Sequence, residues 1–230
     1  MWGQIEECMR TGKNAIQLLY GIDIYTYFDT HHEEEIIFNA AMVNLSRIVN
    51  RSILAYYDFS HVHRLVDLGG GNGSLIEMIL SHYPMVSGEL FDRSSVITQV
   101  KAANEKRDLG SLSYKMVSGN FFDSVPPGAD AYLLKYVLHN WNDEQCCCIL
   151  RNCCRGMHSS TTLLICEQLV VSDKRETDSA KEIRLLMALQ HEGHVRTQEE
   201  FSALFAASGL RLVRVIPTDS PIWILEAMLR

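Results

Sequence analysis

Five places in the chain put glycine or a polar side chain at the end of an apolar run. The first is the turn Asp67-Leu68-Gly69-Gly70-Gly71-Asn72-Gly73. Glycines let a backbone turn sharply and approach a ligand closely. The dinucleotide fingerprint G-x-G-x-x-G is not met, because counting from Gly69 the third glycine falls on Ser74, so a pyrophosphate cradle is the weaker reading. The second place is Asp92, whose carboxylate can accept from both hydroxyls of a ribose diol. Together these two suit an adenosine without requiring a diphosphate, although nicotinamide enzymes also place an acid there. The remaining three places carry Asn120, His139 and Glu167. A single Asp or Asn at such a point is ordinarily a turn or cap residue. A lone histidine after an apolar run is ordinarily structural, and His139 gains weight only from its company, Trp141, Asp143 and Glu167.

The elements between these residues decide whether they can meet. From residue 64 the chain alternates short apolar runs with helical patterns. Strands are predicted over 64–68, 86–91, 112–117, 129–135, 161–166, 210–216 and 222–228. Helices are predicted over 74–82, 94–105, 143–157 and 181–190, with a further helix opened by the capping box Thr197/Glu200 and closed by Gly209. Strands alternating with helices give a mainly parallel sheet, and an open sheet of this kind binds ligands beyond the carboxyl ends of its strands. All five polar places fall on that edge. The last two strands are joined only by a turn at Asp219-Ser220-Pro221, which predicts an antiparallel hairpin at one side. The first sixty residues read as helical, with Ala15, Leu18, Leu19 and Ile22 and then Ile36, Ala40, Val43 and Ile48 at helix-like spacing, and with no obvious core of their own.

The composition is that of a globular protein: 230 residues, 47% hydrophobic and 21% charged. A net charge of −7 offers no electrostatic footprint for nucleic acid. No apolar run reaches the length of a membrane span, and the first ten residues are not a signal peptide. Seven cysteines, five of them within residues 146–154, read as small apolar packing in a reducing, cytoplasmic setting. No C-x-x-C is present, so the usual zinc spacing is missing.

In order, VDLGGGNG, LFDR, GNFFDSVPPGAD, LLKYVLHNWND and ICEQLV resemble the motifs of the class I S-adenosylmethionine-dependent O-methyltransferases. More narrowly, the chain looks like the metal-independent caffeate, acetylserotonin and polyketide O-methyltransferase group. Upstream, Trp2-Gly3, Thr11-Gly12, Tyr20-Gly21 and Phe38-Asn39-Ala40-Ala41-Met42 fit as well. The resemblance implies a Rossmann-like α/β fold with a mostly parallel seven-stranded sheet and an antiparallel C-terminal hairpin. It divides the chain into a helical linker and substrate-cap region, 1–58, and an S-adenosylmethionine-binding catalytic domain, 59–230.

By motif, Gly69, Gly71 and Gly73 would line the cofactor's amino-acid end, with Met42 and Ser46 at its methionine part. Asp92 would hold the ribose, Asn120 and Phe121 would sit at the adenine, and Lys135 at the cofactor's rim. His139 matches the catalytic base and Glu167 the acid that orients it. A phenol has a pKa of about 10 and its neutral oxygen is a poor nucleophile, so a base at that oxygen contributes roughly 10²–10⁴-fold. No metal is implied. The acceptor pocket would be built around Phe38, Trp141, Met187, His191 and the helices of residues 1–50. Bland roles remain open for several of these: Met42 and Met187 as core, Lys135 as a solvated chain, His191 and His194 as exposed loop residues.

Three departures from the family pattern stand out. The family's N-terminal winged-helix dimerisation domain is absent from these residues, which puts the family's homodimer, and closure of the acceptor pocket, in question. Val195 stands where many relatives carry a second glutamate facing the histidine, and Asn120 stands where an aspartate commonly binds the adenine amino group. These changes also admit other S-adenosylmethionine-dependent chemistry on the same fold (hydroxylation, decarboxylation, pericyclic reactions) or a cofactor-binding form without catalysis.

Overall fold

The structure, a computed structural model, describes residues 2–106, 113–171, 181, 185–187, 189 and 193–230, with the side chains of 39 and 41–45 outside the description. Four helices open the chain: α1 (Ile5–Thr11), α2 (Ala15–Tyr20), α3 (Ile24–Phe28) and α4 (His32–Tyr56). Then follow β1 (Arg64–Leu68), α5 (Ser74–His82), β2 (Ser87–Asp92), α6 (Ser94–Asn104), β3 (Tyr114–Ser118) and β4 (Ala131–Lys135). A 3₁₀ turn, Leu138–Asn140, leads into α7 (Asp143–Gly156), β5 (Thr162–Gln168), α8 (Gln198–Ser208), β6 (Leu210–Pro217) and β7 (Ile222–Leu229). The helix expected over 181–190 falls partly outside the described residues; 181, 185–187 and 189 are helical.

The seven strands form one sheet in the order β3-β2-β1-β4-β5-β7-β6. The first five run parallel, and β7 and β6 return antiparallel as the predicted hairpin. Strand order reverses between β1 and β4, which opens a crevice beyond their carboxyl ends. Strand β5 runs further than expected. Antiparallel pairing with β7 continues through Glu167, opposite Trp223, and Gln168, opposite Ile222. Glu167 is therefore a strand residue and not the first residue of a loop.

The central strands are mostly apolar because both faces are covered. Successive residues point to opposite faces. Val66, Leu68, Tyr132, Leu134, Leu163 and Ile165 pack with Ile149 and Leu150 of α7 and Phe201 and Phe205 of α8. Leu65, Ala131, Leu133, Leu164 and Cys166 pack with Ile76 and Ile79 of α5. The end of the helical segment joins this second face through Val49, Ile53, Tyr57 and Phe59. Ser52 also donates to Asp219 in the hairpin turn, at 2.7 Å.

The N-terminal helices have two small clusters, one of Ile16, Ile24 and Phe28 and one that Cys8 and Ala15 share with Leu189. All seven cysteines are free; Cys8, Cys146, Cys153 and Cys166 are buried. No helix among the described residues is long and apolar enough to cross a membrane.

Candidate active site

The glycine turn leaves β1 with Gly69 at φ 68° and reaches α5 through Gly73 at φ 77°, left-handed conformations that glycine adopts without a Cβ penalty. A Cβ on Gly69 would also meet Val137 at 3.0 Å. The Gly69 amide bonds to the Phe91 carbonyl at 2.8 Å, and that of Gly119 to the Asp92 carbonyl at 3.0 Å, so successive strand ends are stitched into one rim. Asp92 accepts from the Gly71 amide at 2.9 Å and from its neighbour Arg93 at 2.7 Å. Burial pushes its carboxyl up, and those two amides pull it part of the way back. At Gly71 a Cβ would meet nothing, so the backbone there faces open space.

Asp67 is a site residue that the motif reading passed over. It lies in β1, 1% exposed, with neither carboxylate oxygen hydrogen-bonded. Burial pushes its pKa up to about 7, against the pull of Lys135. The Cβ that glycine spares at residue 70 would overlap this carboxylate. A carboxylate inside an apolar run is costly without a partner, and that was the available signal. On the next strand, Lys135 is not a solvated chain. Its Nζ donates to Ser46 at 2.9 Å, and burial lowers its pKa while Asp67 opposes the shift. Tyr136 follows at φ 56°, a left-handed conformation unusual for an aromatic residue.

Beyond that bend the 3₁₀ turn brings His139 to Glu167. His139 Nδ1 lies 2.7 Å from Glu167 Oε2, with the two side chains 13% and 1% exposed. Glu167 Oε1 accepts the Leu138 amide at 2.9 Å and the His139 amide at 3.3 Å. A carboxylate can only accept, so in the neutral imidazole this contact selects the tautomer with the proton on Nδ1 and the lone pair on Nε2.

Above the rim, helix α3 lays Tyr25 on Trp141, with ring centroids 5.6 Å apart and planes 27° apart. Arg93 sits 5.4 Å from the Tyr25 ring and pairs with Glu35 and Asp29. Burial, with Asp92 close by, pushes the Tyr25 phenol up. Nothing in the sequence marked Tyr25. A cavity of about 280 Å³ lies beside this stack, lined by residues that include Gln17, Asp23, Asn140 and Gln145. Its lining includes Tyr25 and Trp141 but neither the glycine turn nor His139.

Other expected site residues are placed as follows. Phe121 packs edge-on to Trp141 at 6.1 Å. Asn120 is exposed, and its Oδ1 accepts the Phe122 amide at 3.0 Å, so its acceptor is partly used in closing its own turn. Phe38 packs on Phe28 at 5.1 Å in the N-terminal cluster. Met187 is half-buried on the helical stretch 185–187, and Val195 is buried. Met42 is in α4 but its side chain lies outside the description, and His191 lies outside the described residues.

The O-methyltransferase domain family matches residues 2–211. The chain belongs to that family. It is 35% identical over 228 residues to phenazine O-methyltransferase PhzM of Lysobacter antibioticus, covering 98% of this chain and 66% of that protein. It is 33% identical over 226 residues to the mitomycin biosynthesis 6-O-methyltransferase of Streptomyces lavendulae, covering 98% and 64%. The chain thus spans about two thirds of the length of these relatives. The solved structure of LaPhzM superposes with a TM-score of 0.94 at 34% identity, covering all of this chain and 68% of the other. NcsB1 from neocarzinostatin biosynthesis, solved with S-adenosylmethionine and 2-hydroxy-5-methyl naphthoic acid, gives 0.89 at 26% identity, covering all of this chain and 68% of NcsB1. The fold is that of the class I methyltransferases, as the sequence motifs implied.

The residues present fit an adenosyl cofactor. The rim offers a carboxylate for a diol at Asp92 and open backbone at Gly71. The unpartnered carboxylate of Asp67 beneath the turn favours a cationic neighbour.

Proposed function

We propose that this chain takes part in methyl transfer from S-adenosylmethionine to a hydroxyl of an aromatic or polyketide-like small molecule, with His139 as general base. The observation that carries the reading is the His139 Nδ1 to Glu167 contact at 2.7 Å, on the same sheet edge as the glycine turn and Asp92. Gly69, Gly71, Gly73, Asp92 and Lys135 with Ser46 would hold the cofactor, with Phe121 and Asn120 at its adenine end. Bound there, S-adenosylmethionine would supply an electrophilic methyl group. Nε2 of His139 takes the proton of the acceptor hydroxyl, because Nδ1 is committed to Glu167. The Glu167 carboxylate then stabilises the imidazolium and, through the Leu138 and His139 amides, fixes where the ring stands.

Residues 1–58 act as a cap over 59–230. The Tyr25–Trp141 stack would offer the acceptor side an aromatic wall suited to a fused-ring phenol. This agrees with the phenazine and mitomycin names of the relatives and with the naphthoic acid bound to NcsB1. Calorimetry with S-adenosylhomocysteine tests the cofactor half; a folded sample that does not bind it refutes the reading. A mass-spectrometric screen of aromatic hydroxyl compounds for the gain of one methyl tests the acceptor half.

A further inference from the structure

We infer that Arg196 is a positioning residue for His139, acting through the peptide bond that joins Leu138 to His139. The inference deepens the methyl-transfer reading and rests on it for the role of His139. The Arg196 side chain is 0% exposed. A charge so buried is stable only when its donors are matched, and here they are. Nε and Nη2 donate to Asp143 Oδ1 at 3.0 and 2.7 Å. Nη1 donates to the Leu138 carbonyl at 2.9 Å and Nη2 to the Trp141 carbonyl at 2.8 Å. The guanidinium therefore grips the loop on both sides of His139 and ties it to the first turn of α7.

One peptide unit is held from opposite directions. The carbonyl of Leu138 faces the Arg196 cation, and the amide of His139 faces the Glu167 carboxylate at 3.3 Å. Rotation of that unit would break both contacts at once. The grip also has a firm base. The Arg196 carbonyl accepts the Val170 amide at 2.9 Å and Arg196 forms a bridge with Leu169, so it is anchored to the chain leaving β5, the strand that carries Glu167. Gly193, three residues before, lies so close to the loop that a Cβ would overlap the His139 carbonyl and the Trp141 amide. The segment 193–196 is thus a backing plate for the catalytic turn, and the left-handed Tyr136 lies at the other end of the same loop. Lysine could not replace the guanidinium fully, because one ammonium lacks the planar fork that reaches two carbonyls and a carboxylate.

The test combines nuclear magnetic resonance of the cofactor-free protein with kinetics, on Arg196→Lys, Arg196→Met and Asp143→Asn. In the unsubstituted protein the imidazole proton shared with Glu167 should appear as a protected low-field resonance that His139→Ala abolishes. Arg196→Lys and Arg196→Met should lose that resonance, and Asp143→Asn should weaken it. With an accepted phenol, Arg196→Lys should lower kcat by about 10²-fold, the effect of misplacing a reacting group by an ångström. Acceptor KM and the Kd of S-adenosylhomocysteine should stay within about twofold by the same argument. A folded Arg196→Lys that keeps both the resonance and kcat overturns the proposal. So does a variant in which kcat, KM and cofactor Kd all worsen together, which marks general loosening. If Arg196→Met does not fold, Arg196→Lys and the surface substitution Asp143→Asn decide. The resonance needs neither cofactor nor acceptor, so its loss alongside an absence of methylation in the parent protein would fault the function and not the clamp.

Discussion

Replacing Asp67 with asparagine should stabilise the cofactor-free protein at pH 8 and have little stabilising effect at pH 4–5. Asp67 is 1% exposed and its oxygens are unpartnered, and its pKa is about 7 in the fold against an ordinary 3.8. A carboxyl that holds its proton more tightly when folded contributes stability that is fully present below the unfolded pKa. That contribution fades as pH rises through the folded pKa. The window here runs from about pH 4 to about pH 7. Three or so units at ~1.4 kcal/mol each put the contribution at about 4 kcal/mol. Asparagine cannot ionise, but its own amide would be unsatisfied at a cost of about 1–3 kcal/mol. The net gain at pH 8 is then about 1–3 kcal/mol. At about 2–4 °C per kcal/mol for a chain of this size, the Tm should rise by several degrees. The assay is thermal unfolding of both proteins from pH 4 to pH 8 without cofactor. A Tm difference that does not change with pH refutes the argument, because Asp67 would then not titrate between the two states. A variant less stable than the parent at pH 8 also refutes it.

Other substitutions separate binding from chemistry. His139→Ala should reduce turnover of an accepted phenol by roughly 10²–10⁴-fold while calorimetric binding of S-adenosylhomocysteine is retained; unchanged turnover would remove His139 from the mechanism. Asp92→Ala should weaken S-adenosylhomocysteine binding by about 1.5–3 kcal/mol, the worth of a hydrogen bond to a charged group, and equal Kd values would exclude it from the ribose site. Gly193→Ala should lower both Tm and turnover, because the added Cβ overlaps backbone that cannot move aside, and a silent substitution would show that the His139 loop yields. Cys153 and Cys166 are buried thiols whose pKa burial pushes up. They should react with a thiol reagent only on unfolding, and rapid labelling of the native protein would contradict their placement.

Much of the framework was legible because each signal is local. The apolar runs gave β1, β4 and β5, the helical pattern over 143–157 gave α7, and the Thr197/Glu200 capping box gave the start of α8. The single turn between the last two strands gave the hairpin. Glycine and acid at the strand ends marked the rim, since a parallel sheet delivers successive carboxyl ends to one edge.

What the linear chain could not decide was which polar groups meet. Runs buried on both faces carry no alternation, so they do not reveal their register. The pairing of Lys135 with Cys166 is what sets the His139 turn beside Glu167. Parity also decided that Asp67 lies on the face of Leu65 and α5 beneath the glycine turn, where it has no partner. Tyr25 reaches Trp141 and Arg196 reaches the Leu138 carbonyl across separations of more than fifty residues. Such contacts have no periodic trace in a sequence. They follow from packing, which alone can take an arginine out of water and supply it with a partner for each donor it uses.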